Sequence, residues 1–303
     1  MVEQLLPANV KLTSEKDLPK QIIKGNHFML ETQLQRQKVL RRFCKKYQVP
    51  YENLEYNRNF LYSDAKKFIY CRIPKVACKT WKKILGYVQG RFDSPYNVSL
   101  FELYSFKYPY LATLINKGDS DGVEERKDGY FSFMFSRHPF DRLFSAYRNK
   151  IQSPLEGLEN YLLKLGPRIM TLNGKDPATH AKKMINGTDY LDVSFEEFVT
   201  YVLKARLLDP HWDHQVKICH LCNYPFAYLG KFETMATDAN KLFDMLDIQI
   251  DKLPEDGQYN TESHQFMKDH YAKLPKALIE EVYEFYKDDF LAFGYDKNEY
   301  FTM

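Results

Sequence analysis

The chain has 303 residues, 44% hydrophobic and 27% charged, the proportions of an ordinary soluble globular protein with room for one large domain or two small ones. A net charge of +3 is too small to call for a polyanionic partner by itself, and no window approaches the ~20 apolar residues of a membrane span. The opening MVEQLLPANVKLTSEKD lacks a basic stretch followed by an apolar one, so it does not read as a signal peptide; the expectation is a cytosolic protein or one whose N-terminal anchor is absent from this sequence.

In chain order, residues 1–29 read as an irregular arm and residues 30–303 as one folded domain. Residues 30–48 predict an amphipathic helix, with Leu34, Val39, Leu40 and Phe43 on one side, Arg36, Lys38, Arg41, Arg42, Lys45 and Lys46 on the other, and Pro50 as the stop. Residues 67–73 predict a buried strand and 79–89 a helix. The stretch 91–128 is mixed, with a Gly-rich charged loop from Lys117 to Asp128. YFSFMFS, 130–136, is a second buried strand, and Pro139 opens a helix whose core side is Phe140, Leu143, Phe144, Tyr147 and Ile151. Residues 152–190 read as an irregular insertion. A helix over 195–205, a strand over 226–232, a helix near 236–247 and a last helix from Pro275 to Asp288 complete the pattern. Strands alternating with helices predict an α/β fold: a single P-loop-like domain with a central parallel sheet flanked by helices.

The sequons Asn97-Val-Ser99 and Asn186-Gly-Thr188 lean toward a secretory compartment. The cysteines are Cys44, Cys71, Cys78, Cys219 and Cys222, so at least one is unpaired within the chain. His211, His214, Cys219, His220 and Cys222 lie close enough to suggest zinc, but a closed site needs well-separated ligand pairs. A Cys219–Cys222 link or packed thiols is the preferred expectation, with no metal.

Two strand-to-helix turns sit where open α/β sheets bind ligands, beyond the carboxyl ends of strands. In the first, Pro74, Lys75, Val76, Ala77, Cys78, Lys79 and Thr80 offer successive backbone N–H groups and a helix N-terminus to an anion, Lys75 adds a full charge, and the Thr80 hydroxyl can donate. The turn has no glycine, so a Walker A loop and an ATPase or GTPase reading fit poorly. The alternative is a plain turn with surface lysines. In the second, SRHPFDRLFSAYR, Arg137 ends a strand and Ser145 lies in the second turn of the following helix, on a side shared with Asp141 and Arg148. A guanidinium and a hydroxyl so placed suit a phosphate.

PKVACKTW after one strand and R-x7-S after another resemble the two nucleotide-binding elements of sulfotransferases that use 3′-phosphoadenosine 5′-phosphosulfate (PAPS). IPKVACKTWKKIL is similar to the PKVACTNWKRVL pattern of the Golgi carbohydrate sulfotransferases of the HNK-1 and chondroitin/dermatan 4-O-sulfotransferase group, and RHPFDRLFSAYRNKI to their REPFERLVSAYRNKF. The segment HW…ICHLCNYPFAYLGKFETMATDAN and the terminal VYEFYKDDFLAFGY are similar too, so the resemblance runs from about residue 35 to 296. It departs at Lys79-Thr80, for Thr-Asn, and at His138, for Glu.

The resemblance implies transfer of a sulfuryl group from PAPS to a sugar hydroxyl, the 4-hydroxyl of GalNAc in a chondroitin/dermatan glycosaminoglycan being preferred. It also implies a Golgi lumenal location behind an N-terminal anchor, no metal, and no nucleic-acid partner. Residues 74–80 would hold the 5′ phosphosulfate, Arg137 and Ser145 the 3′ phosphate, and Lys75 the charge growing on the leaving oxygen. His211, in Asp209-Pro-His-Trp212, is the preferred proton acceptor, with packing against Trp212 as its alternative role and Glu102 as a rival base. The other readings are a P-loop nucleotide kinase and a non-catalytic glycosaminoglycan-binding protein on the same fold. The basic side of residues 36–46, with Lys82 and Lys83, is the expected seat of a polyanionic acceptor.

Overall fold

The computed structural model describes residues 27–46, 59–154, 159–185, 187–205, 209–224, 226–254 and 261–299. Residues 1–26 of the expected arm, Pro50 and Asn186 of the second sequon lie outside them.

The elements, in order, are α1 (His27–Lys46), β1 (Phe60–Ser63), β2 (Phe68–Cys71), α2 (Cys78–Val88), α3 (Leu100–Ser105), α4 (Leu111–Asn116), α5 (Ser120–Gly129), β3 (Phe131–Ser136) and α6 (Pro139–Tyr147), which runs into a π-helical turn, Arg148–Gln152. Then come α7 (Asn160–Leu172), β4 (Lys182–Ile185), β5 (Thr188–Leu191), α8 (Phe195–Lys204), α9 (Gln215–Ile218), β6 (Tyr228–Lys231), α10 (Met235–Leu246), α11 (Thr261–Tyr271), α12 (Lys276–Phe285) and α13 (Lys287–Phe293). Among the described residues no helix is long and apolar enough to cross a membrane.

The chain divides into two compact units, the first made of residues up to Arg137, His214–Gln258 and Leu291–Tyr295, the second of His138–Asp213, Tyr259–Phe290 and the residues from Asp296 on. The first unit holds a central sheet ordered β1-β2-β3-β6, with β2, β3 and β6 parallel, as expected, and β1 antiparallel at the edge. All four residues of β2 and all six of β3 are buried, which is why these strands read as unbroken apolar runs rather than alternating ones. Gly230 in β6 lies against the Phe135 ring, and a Cβ there would fall 2.2 Å from it. Trp81 of α2 packs on Tyr70, Phe133 and Phe135 at ring-centroid distances of 5.4, 5.1 and 4.9 Å, fixing the helix to the sheet.

Two disulfides staple this unit. Cys71 of β2 joins Cys219, and Cys44 of α1 joins Cys222. The expected Cys219–Cys222 link is therefore wrong: the turn between them aims one sulfur at the sheet and the other at α1. Both cysteines are spent as disulfides, which removes them as thiolate ligands. The bridges span 148 and 178 residues; either one alone would close a loop worth on the order of 5 kcal/mol in the chain-entropy picture, and because they are nested the second adds less. Cys78 remains a free thiol.

Helix α1 buries Leu40 and Phe43 as expected, but its basic side is not all outward. Arg36 turns in, donating to Asp238 Oδ2 at 2.8 Å, the Leu229 carbonyl at 2.7 Å and Thr234 Oγ1 at 3.1 Å. Arg41 is half-buried and lowered to about 10 by that burial, so only Lys38, Arg42, Lys45 and Lys46 stay exposed. The expected loop at Lys117–Asp128 is mostly α5: Asp119 accepts from the Gly122 amide as its cap, Val123 is buried, and Arg126 pairs with Asp64 at 2.9 Å.

The second unit is helical with one hairpin, β4–β5. The stretch expected to be an irregular insertion forms α7 and this hairpin. Gly166 and Pro167 broke the helical pattern in the sequence, but Gly166 lets Leu191 approach to 3.3 Å of where a Cβ would be, and the helix continues through Pro167. Helix α6 buries Phe140 against Tyr271 and Phe290, and Phe144 against Phe195, while α8 is closed by a capping box of Ser194 and Glu197.

Candidate functional site

In the first unit, β2 delivers the chain into residues 72–77 and then α2. Two non-glycine residues here take left-handed backbone: Lys75, φ 70°, and Ala77, φ 48°. Each such residue costs about 1 kcal/mol or more and persists only where its surroundings hold it. The holding groups are visible. The Val76 amide donates to the Ile73 carbonyl, with Val76 itself buried. Arg137 Nη1 donates to the Lys75 carbonyl at 3.1 Å. Trp81 N donates to the Ala77 carbonyl at 3.1 Å, continuing into the aromatic anchor. Helix α2 has no side-chain cap on its N-terminus, so the amides of its first turn are not taken by a capping oxygen. Pro74 and Thr80 are buried, while Lys75, Cys78 and Lys79 are half-buried.

Arg137 is itself seated by a reciprocal pair: its amide donates to Gln215 Oε1 at 2.9 Å, and Gln215 Nε2 donates back to the Arg137 carbonyl at 2.8 Å. Its guanidinium lies 4.3 Å from the centre of the Phe232 ring. Gln215 is fully buried, and nothing in the sequence marked it. Lys75 and Arg137 thus meet within the first unit. Ser145 belongs to the second, as the half-buried position of an otherwise buried α6. Asp141, expected on the same polar side, is buried. His138 is fully buried; its Nε2–H donates to the Asp296 carbonyl at 3.2 Å, and its ring meets Phe290 edge-on at 5.1 Å.

The second unit carries the turn Asp209-Pro-His-Trp212. His211 Nδ1–H donates to Asp209 Oδ1 at 2.5 Å, and its amide donates to the same oxygen at 2.9 Å. Tyr161 donates to Asp209 Oδ2 at 3.2 Å and stacks edge-on to His211 at 5.4 Å. Burial pushes the Asp209 carboxyl up, but the bonds from His211 and then Tyr161 outweigh it and leave it below the usual carboxylate range. Burial, with the Asp209 charge beside it, pushes the Tyr161 hydroxyl up to about 12, so it stays a donor at neutral pH. Lys150, buried in the π-helical turn, sets its ammonium 4.2 Å from the centre of the Tyr161 ring.

The turn is clamped from behind. Arg142, 1% exposed, donates to the Pro210 carbonyl at 2.7 Å and to the Asp213 carbonyl at 2.5 Å. Tyr286 donates to the Trp212 carbonyl at 2.5 Å. Trp212 is the core anchor, edge-on to Phe198 at 5.3 Å, whereas His211 keeps about a quarter of its side chain exposed. A carboxylate on Nδ1 fixes the ring and its tautomer and directs proton uptake to Nε2. Glu102 has other work: it accepts from the Ser99 amide and hydroxyl in a capping box on α3, bonds that lower its carboxyl and make it a poorer base. Tyr161, Lys150 and Arg142 escaped the sequence reading; only the D-x-H spacing pointed to Asp209.

Comparison with known proteins agrees with these motifs. The Sulfotransferase family model matches residues 58–296. Human carbohydrate sulfotransferase 9 is 30% identical over 300 residues, covering 92% of this chain and 63% of that protein. Mouse carbohydrate sulfotransferase 11 is 27% identical, covering 81% and 69%, and zebrafish carbohydrate sulfotransferase 14 is 30% identical, covering 78% and 62%. The chain thus spans about two thirds or less of the length of several curated relatives it matches. No solved structure gives a match. A family match over most of its length, on a fold with a mostly parallel central sheet, makes this chain a member of the Sulfotransferase family.

Proposed function

We propose that the protein transfers a sulfuryl group from PAPS to a hydroxyl of a glycan, the 4-hydroxyl of GalNAc in a chondroitin/dermatan-type chain being the preferred acceptor. The observation that carries this reading is the loop at 74–80: beyond the carboxyl end of β2, left-handed Lys75 is held by Arg137 and left-handed Ala77 by the Trp81 amide, before a helix with no side-chain cap. In the reaction the acceptor oxygen attacks sulfur, the bond from sulfur to the bridging oxygen breaks, and adenosine 3′,5′-bisphosphate leaves. Residues 74–80 bind the 5′ side of the donor through backbone amides, and Lys75 balances the charge that grows on the bridging oxygen. Arg137 and Ser145 bind the 3′ phosphate. His211, oriented by Asp209, takes the proton of the acceptor hydroxyl. No metal enters this scheme.

The two disulfides support an oxidising compartment and hence the Golgi lumen, as the resemblance implies. Incubation with radiolabelled PAPS and a panel of polysaccharides tests the reading. Label should enter a GalNAc-containing chain, and label in none of them would contradict it.

A further inference from the structure

Helix α3 carries a feature that the proposed chemistry leaves unused. Leu103 is its buried residue, while Leu100, Phe101 and Tyr104 are 48%, 81% and 55% exposed. Tyr96 beside it is 36% exposed. These rings are not loosely hung: the Ser99–Glu102 capping box fixes the start of the helix, and Leu103 anchors it from beneath. The Lys82 ammonium lies 5.3 Å from the Tyr104 ring centre and 4.9 Å from that of Tyr108, and the Arg91 guanidinium 5.9 Å from that of Phe106.

A fixed, exposed aromatic patch marks a binding surface. Its charge says what binds. Lys82 and Arg91 stand against its rings, and in the stretch from Lys79 to Tyr108 Lys79 and Lys107 add charge while Lys83 is buried, against two carboxylates, Asp93 and Glu102. Glu102 is already committed to the cap. Burial, and then the like charge of Arg72, lower the Lys82 ammonium from its ordinary value, a penalty that a bound anion would relieve. A second copy of the chain, meeting this face symmetrically, would set cations against cations. Pyranose rings present flat C–H faces that stack on aromatic rings, and uronate or sulfate groups between them match the lysine.

We propose that Phe101 and Tyr104, with Lys82, form a subsite for an anionic sugar residue of the acceptor glycan. This rests on the sulfotransferase reading and extends it: Lys82 stands on α2, the helix that begins at the loop, so donor loop and acceptor platform share one rigid element.

Binding without turnover tests it. The protein is saturated with adenosine 3′,5′-bisphosphate, and fluorescently labelled chondroitin, dermatan and heparosan are titrated by anisotropy, with calorimetry of the bisphosphate alongside. The wild type should bind at least one chain. The double variant Phe101→Ala/Tyr104→Ala should bind it about tenfold more weakly. Lys82→Gln should flatten the salt dependence of chain binding. Bisphosphate affinity should be the same in all three proteins. Unchanged chain affinity in the double variant overturns the subsite, and so does a wild type that binds none of the chains. A wild-type dimer that the double variant converts to monomer, with chain affinity kept, assigns the face to self-association instead. A wild type that takes up no bisphosphate contradicts the sulfotransferase reading and takes this proposal with it.

Discussion

The loop at 73–80 and the turn at 209–213 are both irregular segments held in one conformation, and they differ in how many side chains hold them. The loop lies between two regular elements, and its hold is mostly backbone: an amide within the turn, an amide of the following helix, and one guanidinium on the Lys75 carbonyl. The turn closes on the Asp209 carbonyl, which accepts from the Trp212 and Asp213 amides, and adds side chains from three other segments: Arg142 on two carbonyls, Tyr286 on a third, and Tyr161 on the Asp209 carboxylate. Backbone amides suit an anion that comes and goes, since they carry no net charge to leave unpaired. Buried side-chain clamps suit a group that must stay in one orientation while a proton moves. The same pair of regions therefore divides the proposed reaction into donor binding and proton transfer, and each half breaks differently.

In the donor half the largest effect is expected at Lys75. Lys75→Ala keeps a non-glycine residue at φ 70° and removes the ammonium together with its aliphatic stem. Turnover should fall on the order of 100-fold, with a much smaller change in donor affinity, because the charge it meets grows during transfer. Steady-state kinetics with bisphosphate calorimetry decides it: wild-type turnover with weakened binding makes Lys75 a binding residue only.

Arg142→Met tests the other half from behind. The substitution fills similar space but leaves the Pro210 and Asp213 carbonyls buried without this donor, at about 1–3 kcal/mol each. The midpoint of thermal unfolding should drop, and turnover should drop with it, while bisphosphate affinity stays unchanged. Full activity in a folded Arg142→Met protein would show that the clamp serves the fold and not the turn. Arg137→Ala is expected to do the reverse, weakening bisphosphate binding about tenfold through loss of a charge-assisted contact. Arg137→Lys should recover little, because an ammonium cannot both hold the Lys75 carbonyl and present a planar pair of donors.

How far this division was legible in the sequence follows from the same contrast. Strands β2, β3 and β6 announce themselves as buried runs, so the parallel sheet could be read directly, and the loop after β2 is a local string of residues, so it stood out as a candidate anion site. Edge strand β1 is four residues long and gave no comparable signal. Helix α7 hid behind Gly166 and Pro167, and with it went Tyr161. Arg142 looked like a routine helix charge because its partners sit some 70 residues away. Cys71 and Cys44 find Cys219 and Cys222 only through the fold, which no spacing rule encodes. Arg36 counted as part of a basic face until Asp238 was seen opposite it.

The smallest effect belongs to Glu102. As the capping-box partner of Ser99 on α3 it should cost at most about 1 kcal/mol when changed to Gln, with turnover unaltered, as activity and thermal unfolding of Glu102→Gln would show. A large loss of rate there would move the base from the turn to α3.

In the proposed reaction donor binding and proton transfer reside in separate, separately held segments, and His211→Ala tests this most directly. Single-turnover sulfuryl transfer from PAPS should slow by roughly 100-fold or more, with bisphosphate affinity and thermal stability close to wild type. A variant that keeps its rate, or that loses rate only in step with donor affinity, would contradict the account.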